Sequence, residues 1–397
     1  MLVQFMIKNV LSFKEETILD MTAINAYKEH ESNLIDIGTK EKFLKVAAIY
    51  GANASGKSNF YLAMTYFQNI IKKSLDSVDA GEESIISEYF YPFSFDAEEE
   101  NSEFQITIII DRFEYTYGFE YNAKCIVTEW MYRKNIETNR TSTIFERTTH
   151  SVKFGAPVRK ECDIYKEHIS PEVLVLSFFY KLKLKTDIFK TVYLGIMSTA
   201  MAPPNFGENE QILATLLPSF IDKEKQNLLA FLSAIDTGIV DIYYEEREKS
   251  VEFFTVHVGR DENEYALNLS NESDGTIKSI ILYIFVRLAI LNNKSIFVDE
   301  INNKLHPLLL KFIVDLFYVE NSQAQLIYTT HDTTLMDKKF FRRDQIWFVQ
   351  KDEFGYSELS ALSDFKVRSD ASFERDYLAG VYGGIPRIKE FELKEGE

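Results

Sequence analysis

The stretch IYGANASGKSNF, residues 49–60, sets two glycines, a lysine and a serine at the spacing G-x-x-x-x-G-K-S. Gly51 and Gly56 let the backbone curl so that its N–H groups point inward at phosphate oxygens, and the helix N-terminus that follows adds its positive dipole. Lys57 then offers a point charge to the β and γ phosphates of ATP, and Ser58 a hydroxyl ligand to Mg2+. Asn53, Ala54, Ser55 and Asn59 complete the candidate nucleotide-binding set. The flanks agree with this reading. FLKVAAIYG (43–51) is a compact apolar run ending in a glycine turn, which predicts a strand. Beyond the loop, Phe60, Met64, Phe67, Ile70 and Ile71 recur at helical spacing. The competing reading, a chance glycine turn, does not account for a strand before the motif and a helix after it.

A loop that cradles phosphate needs a carboxylate for the metal and a group that orients water. SIFVDE (295–300) supplies both, a short apolar strand delivering Asp299 and Glu300 to a sheet edge. Asp299 is assigned to magnesium and Glu300 to polarising the attacking water. A solvated acidic pair at a strand end is the bland alternative, which the phosphate loop in the same chain disfavours. LIYTTHD (326–332) has the same form, with His331 at its tip as a group able to sense the γ-phosphate. In NESDGTIKS (271–279), Ser273 and the N–H of Gly275 stand at the start of a long apolar helix, a second anion site or a plain serine cap.

Composition sets the outer bounds. The 397 residues include 32 Phe and 22 Tyr, which argues for a folded body with a large core. A net charge of −17 excludes a surface that coats nucleic acid as a whole, though not a local basic groove. YKLKLK (180–185) and DKKFFRRDQ (337–345), with Lys338, Lys339, Arg342 and Arg343, are the basic stretches, read as solvated faces in preference to a nucleic-acid track. The two cysteines, Cys125 and Cys162, lie far apart without histidine-rich neighbours, so neither a disulfide framework nor a zinc site is expected. No secretory leader or membrane span is read, and the expected location is the cytoplasm.

Along the chain, VQFMIKNVLSF (3–13) reads as strand. YFYPFSFD, EFQITIIID, FEYTYGFEYN and IVTEWMYRK, from about 89 to 133, read as an antiparallel meander. Residues 162–235 read as a mainly helical insertion broken at MAPPNFGEN (201–209). VDIYYEE and SVEFFTVHVGR return to strand, IKSIILYIFVRLAIL (277–291) is a buried helix despite Lys278 and Arg287, and strands then alternate with helices, which predicts a mainly parallel sheet. Gln105 stands in the sector of a glutamine loop but reads as an outward-facing strand residue.

The order of phosphate loop, LSNESDGTIKS, IFVDEINNKLHP and TTHD resembles the ATP-binding-cassette heads of SMC-type proteins, and more closely the bacterial OLD-like AAA ATPases of the RloA and abortive-infection type. IKNVLSF, PFSF, YTYGFEY and the closing YLAGVYGGIPRI extend the likeness over nearly the whole chain. The resemblance implies an α/β ABC-type head with a mixed or parallel central sheet, an antiparallel β subdomain and a helical insertion. Its divisions would be an N-terminal ATPase lobe (1–161), the insertion (162–235) and a C-terminal lobe (236–397). It also implies an ATP-dependent homodimer, in which Ser273 and Gly275 of one subunit cap the γ-phosphate held by the other. Asn303 to His306 would be the D-loop across that interface, where Asn, Lys and His replace the more usual small residues and aspartate.

The function implied is an ATPase that controls a separate effector, such as a nuclease or toxin, in bacterial anti-phage defence, with DNA or a phage product as trigger. Two alternatives compete with it. One is an SMC-type DNA-sensing or repair ATPase, disfavoured by the lack of sustained heptads in the insertion; the other is a non-hydrolysing ATP-bound scaffold, disfavoured by the Asp299 and Glu300 pair.

Overall fold

The computed structural model describes residues 1–75, 85–96, 100–202, 210–247, 250–319, 322–368 and 371–386. Residues 203–209 of the breaker-rich stretch, and Arg387 and Ile388 of the closing motif, lie outside them.

Val46–Tyr50 is buried at every position, as expected of a strand covered on both faces. It sits inside a six-stranded sheet in the order Ala200–Ala202, Ser295–Val298, Gln325–Thr330, Val46–Tyr50, Ile346–Lys351, Ser357–Ala361. All pairings in it are parallel except the last, which is an antiparallel hairpin. The strand carrying Asp299 is therefore separated from the phosphate-loop strand by the strand leading to His331. Register places Thr330 opposite Tyr50 and Val298 opposite Tyr328, so the chain leaves all three strands at one carboxyl edge. Open parallel sheets bind their ligands at that edge.

The helix after the phosphate loop, Lys57–Lys73, lies between two sheets. Phe60 and Tyr61 meet Phe297 of the central sheet. Phe67 meets Phe104 and Phe119 of a seven-stranded antiparallel sheet, with ring centroids 5.6 and 5.7 Å away. Leu2–Lys8 belongs to this second sheet, which runs on past the expected meander through Thr141–Thr148 to Ser151–Phe154. The opposite face of the central sheet, through Val46, Ala48 and Tyr50, packs into a separate core with helices Asp274–Asn292 and Pro307–Val319.

Two local readings change. YFYPFSFD forms no strand: Pro92 has no N–H to give a ladder, and the segment is held instead by the Leu11 amide on the Tyr91 carbonyl (2.7 Å) and the Phe93 amide on Asn9 Oδ1 (3.0 Å). Within 162–235, helices Val175–Lys181, Ile188–Met197 and Glu210–Ala234 form as expected, but Ala200–Ala202 is an edge strand of the central sheet. Its side chains are too few and too small to announce a strand, and the pairing to Ser295–Val298 creates it.

A buried ion pair fastens the helices to the antiparallel sheet. Glu129, fully buried, accepts from Tyr117 Oη (2.9 Å) and from the amides of Val175 (2.8 Å) and Leu176 (3.2 Å). Arg147 approaches it at 3.5 Å and donates to the carbonyls of Ser170, Pro171 and Val173. Burial raises the Glu129 pKa, against the lowering effects of Arg147 and the amides.

Candidate functional site

Gly56 adopts φ 115°, a conformation that favours glycine, and Ala54 also lies in the left-handed region at φ 62°. A Cβ on Gly51 would come within 2.5 Å of the Val349 carbonyl, and one on Gly56 would collide with Ser357 Oγ. Both glycines are therefore needed for the close approach of the loop to the hairpin behind it. That hairpin braces the loop: Ser357 Oγ donates to the Ser55 carbonyl (2.7 Å) and accepts from Ser12 Oγ (2.8 Å), which in turn accepts from Asn59 Nδ2 at 2.8 Å. Asn59 thus acts on the loop from behind.

The helix Lys57–Lys73 begins on Gly56 with no side-chain cap, leaving its first-turn amides without a side-chain acceptor, as an anion site requires. Asn53, Ala54 and Ser58 are exposed around it, and Ser55 is buried with its Oγ lacking a hydrogen-bond partner. Lys57 is buried and its Nζ donates to the loop carbonyls of Gly51 (2.7 Å) and Ala52 (2.9 Å). Burial lowers its pKa, opposed by the charges of Glu300 and Asp299. The carboxylates from the far strand are thus within electrostatic reach of the phosphate-loop lysine. A loop with close-packed glycines, an uncapped helix start and a buried ammonium facing two carboxylates fits a phosphate chain with its divalent cation.

Asp299 is 2% exposed and accepts from Thr329 Oγ1 at 2.5 Å. The same hydroxyl accepts from the Glu300 amide at 2.7 Å. Glu300 itself has φ 46°, unusual for a residue with a side chain. Its amide is held by Thr329, and its carbonyl accepts from the Asn303 amide (3.0 Å) and Lys278 Nζ (3.4 Å). Thr330 Oγ1 accepts from the Asp332 amide (3.0 Å), so its proton goes to Asn302 Oδ1 (2.8 Å). That leaves the Asn302 amide group to donate to Nε2 of the exposed His331 (3.2 Å).

Thr329, Asn302, Ser12, Ser357 and Lys278 carry these arrangements, and sequence reasoning gave none of them a role. The two threonines of TTHD were the available signal, since a polar pair ending an otherwise apolar strand has to meet something at the sheet edge.

Ser273 and Gly275 stand elsewhere. Ser273 Oγ accepts from the Thr276 amide at 3.1 Å, so within one chain it is the cap of Asp274–Asn292. Among the described residues, no hydrogen bond or ion pair joins Ser273 or Gly275 to the phosphate loop of the same chain. A Cβ on Gly275 would lie 3.1 Å from the Lys304 carbonyl, and Lys304 Nζ pairs with Asp274 at 2.9 Å. The segment after Glu300 therefore wraps the first turn of this helix. His306 is exposed, its Nδ1 accepting from the Leu308 amide.

Other sequence candidates resolve structurally. Gln105 is half-buried on its strand and accepts from Trp130 Nε1 at 3.0 Å. Arg342 is no part of a basic face: it is 1% exposed, pairs with Asp344 at 2.8 Å and donates to the carbonyls of Ile24, Tyr27 and Glu29. Lys181, Lys183, Lys185, Lys338 and Lys339 are exposed.

Residues 46–161 and 195–337, which span the phosphate loop, Ser273, Gly275, Asp299, Glu300 and His331, match the family described as "AAA domain, putative AbiEii toxin, Type IV TA system". The chain belongs to this family. It thus carries an ATPase domain of AAA type, with the candidate residues falling inside the two matched segments of the AAA-domain family. No curated protein matches. Similar solved structures include an SMC head bound to the C-winged helix domain of ScpA, at TM-score 0.44 and 15% identity over 91% of this chain and 97% of that one. The SMC head domain from Thermotoga maritima matches at TM-score 0.42 and 12% identity, over 91% and 98% of the two chains. An SMC head with an extended coiled coil, bound to the C-terminal domain of ScpA and derived from Pyrococcus furiosus, matches at TM-score 0.43 and 15% identity over 95% and 98%.

Proposed function

We propose that this chain binds ATP with Mg2+, dimerises on it and hydrolyses it, and that the ATP-gated dimer controls a separate effector such as a nuclease or toxin in bacterial anti-phage defence. The observation that carries the enzymatic part is the convergence at one sheet edge of Lys57, Asp299 and Glu300, with Thr329 holding both carboxylate-bearing residues. On binding, Lys57 exchanges the Gly51 and Ala52 carbonyls for phosphate oxygens. Ser58 and Asp299 would hold the magnesium ion, which supplies charge neutralisation of the phosphates. Glu300 takes the proton of the attacking water as general base. His331, steadied by Asn302, faces the same edge as a γ-phosphate sensor.

The dimer part rests on Ser273 and Gly275, which lie exposed or half-exposed at a helix start and whose hydrogen bonds go to their own helix rather than to the phosphate loop. In a two-fold pair each signature would complete the partner's site. The defence part rests on the toxin–antitoxin wording of the family and on the OLD-like order of the motifs. No helix among the described residues is long and apolar enough to cross a membrane, and the place of action is proposed to be the cytoplasm, with DNA or a phage product as trigger.

The test is Glu300→Gln. It keeps shape and removes the base, so ATP stays bound, sedimentation shows an ATP-dependent dimer, and turnover falls by about 100-fold or more. Near-normal turnover in this variant would move the base elsewhere, with His331 the next group to substitute.

A further inference from the structure

Lys278 is 2% exposed on a largely apolar helix, one turn beyond Gly275, and its Nζ points back to Glu300 rather than out to water. Burying an ammonium is costly, and such a group persists where a charge or carbonyl answers it. Here the Glu300 carbonyl accepts from it at 3.4 Å, and the Glu300 charge acts on it favourably while Lys304 opposes. Glu300 is the residue that needs holding, since its left-handed backbone costs free energy wherever the surroundings do not over-determine it. Thr329 secures its amide from the His331 strand; Lys278 secures its carbonyl from the signature helix.

We propose that Lys278 is a positioning residue for Glu300, holding the water-activating carboxylate in register with the signature helix of its own chain. This rests on the hydrolytic reading above. In the two-fold dimer that helix meets the partner's nucleotide, while Glu300 serves the nucleotide of its own chain. A helix drawn toward one γ-phosphate therefore acts, through Lys278 and the Lys304 to Asp274 pair, on the base of the other site. Lys278 touches neither nucleotide in this arrangement; it works through the backbone of Glu300.

The experiment compares Lys278→Met and Lys278→Arg with the wild-type chain and Glu300→Gln, measuring ATP Kd by titration and kcat and KM by steady-state phosphate release. Lys278→Met is expected to lower kcat about 10-fold or more with Kd and KM within about twofold, and Lys278→Arg to restore most of the loss. A role in packing alone would not give that split, because Met fills the site at least as well as Arg. Lys278→Leu, which also lacks a donor, carries the same test should the Met variant not purify folded. Wild-type kcat in the Met or Leu variant, or an Arg variant as impaired as Met, overturns the proposal. An inactive wild-type chain, or an undiminished Glu300→Gln, overturns the hydrolytic reading beneath it instead.

Discussion

Thr329 Oγ1 lies 2.5 Å from Asp299 Oδ1, donating its only proton there, and takes the Glu300 amide on its lone pair at 2.7 Å. One hydroxyl on one strand thus fixes two consecutive acidic residues on the next. Thr329→Val keeps the shape and removes both bonds, leaving a buried amide and a carboxylate oxygen without that partner. We expect turnover to fall about 10- to 100-fold, and stability by about 1–3 kcal/mol. Steady-state kinetics with a urea melt check both, and unchanged kinetics would detach Thr329 from the site.

Lys57→Ala removes the ammonium from a multiply charged phosphate site, so ATP binding should be lost in a direct titration. Ser273→Arg should leave each chain able to bind ATP while blocking closure and hydrolysis, because the new side chain fills the space the partner's γ-phosphate needs. Mixed dimers of the two variants hold one doubly damaged site and one intact site, and should recover part of the activity. No recovery from mixed dimers shown to form would mean that the signature acts in its own chain or that both sites must fire. Full activity of Ser273→Arg alone would leave only the helix cap seen within the chain.

The Glu129 to Arg147 pair is a stability element away from the candidate site. Glu129→Ala strands a buried guanidinium and removes the acceptor of two helix-start amides. Loss of one partner from a buried pair costs about 3–5 kcal/mol. Chemical denaturation should show it as a lower midpoint, with Lys57-dependent ATP binding retained in the folded fraction.

Burial lowers the Lys278 pKa from 10.5 to about 8, opposed by Glu300 and reinforced by Lys304. The unfolded chain therefore binds the extra proton between those values, so this group penalises folding fully below pH 8 and progressively less as pH rises toward 10.5. Lys278→Met lifts the penalty. Its melting temperature at pH 7 should equal or exceed that of the wild type, and the gap should shrink between pH 8 and 10. A gap that widened with pH would contradict the direction of the shift.

The sequence by itself determined what lies within a dozen residues: the strand, glycine loop and helix around Lys57, the apolar strand ending in Asp299 and Glu300, the strand ending in His331, and the buried helix containing Lys278. Each is written in local periodicity and in backbone needs that only certain residues meet, such as the φ of 115° at Gly56. The tertiary structure alone decided how these pieces meet. Ser357 braces a loop some 300 positions earlier, Ala200–Ala202 becomes a strand only by pairing with Ser295–Val298, and YFYPFSFD fails to become one because Pro92 breaks the ladder. Thr329 reaches Asp299, and Lys278 reaches Glu300, because parallel register and helix packing bring those atoms together. A hydrogen bond between distant elements leaves no periodic trace in either segment, so its partners become visible only when the sheet has set their alignment.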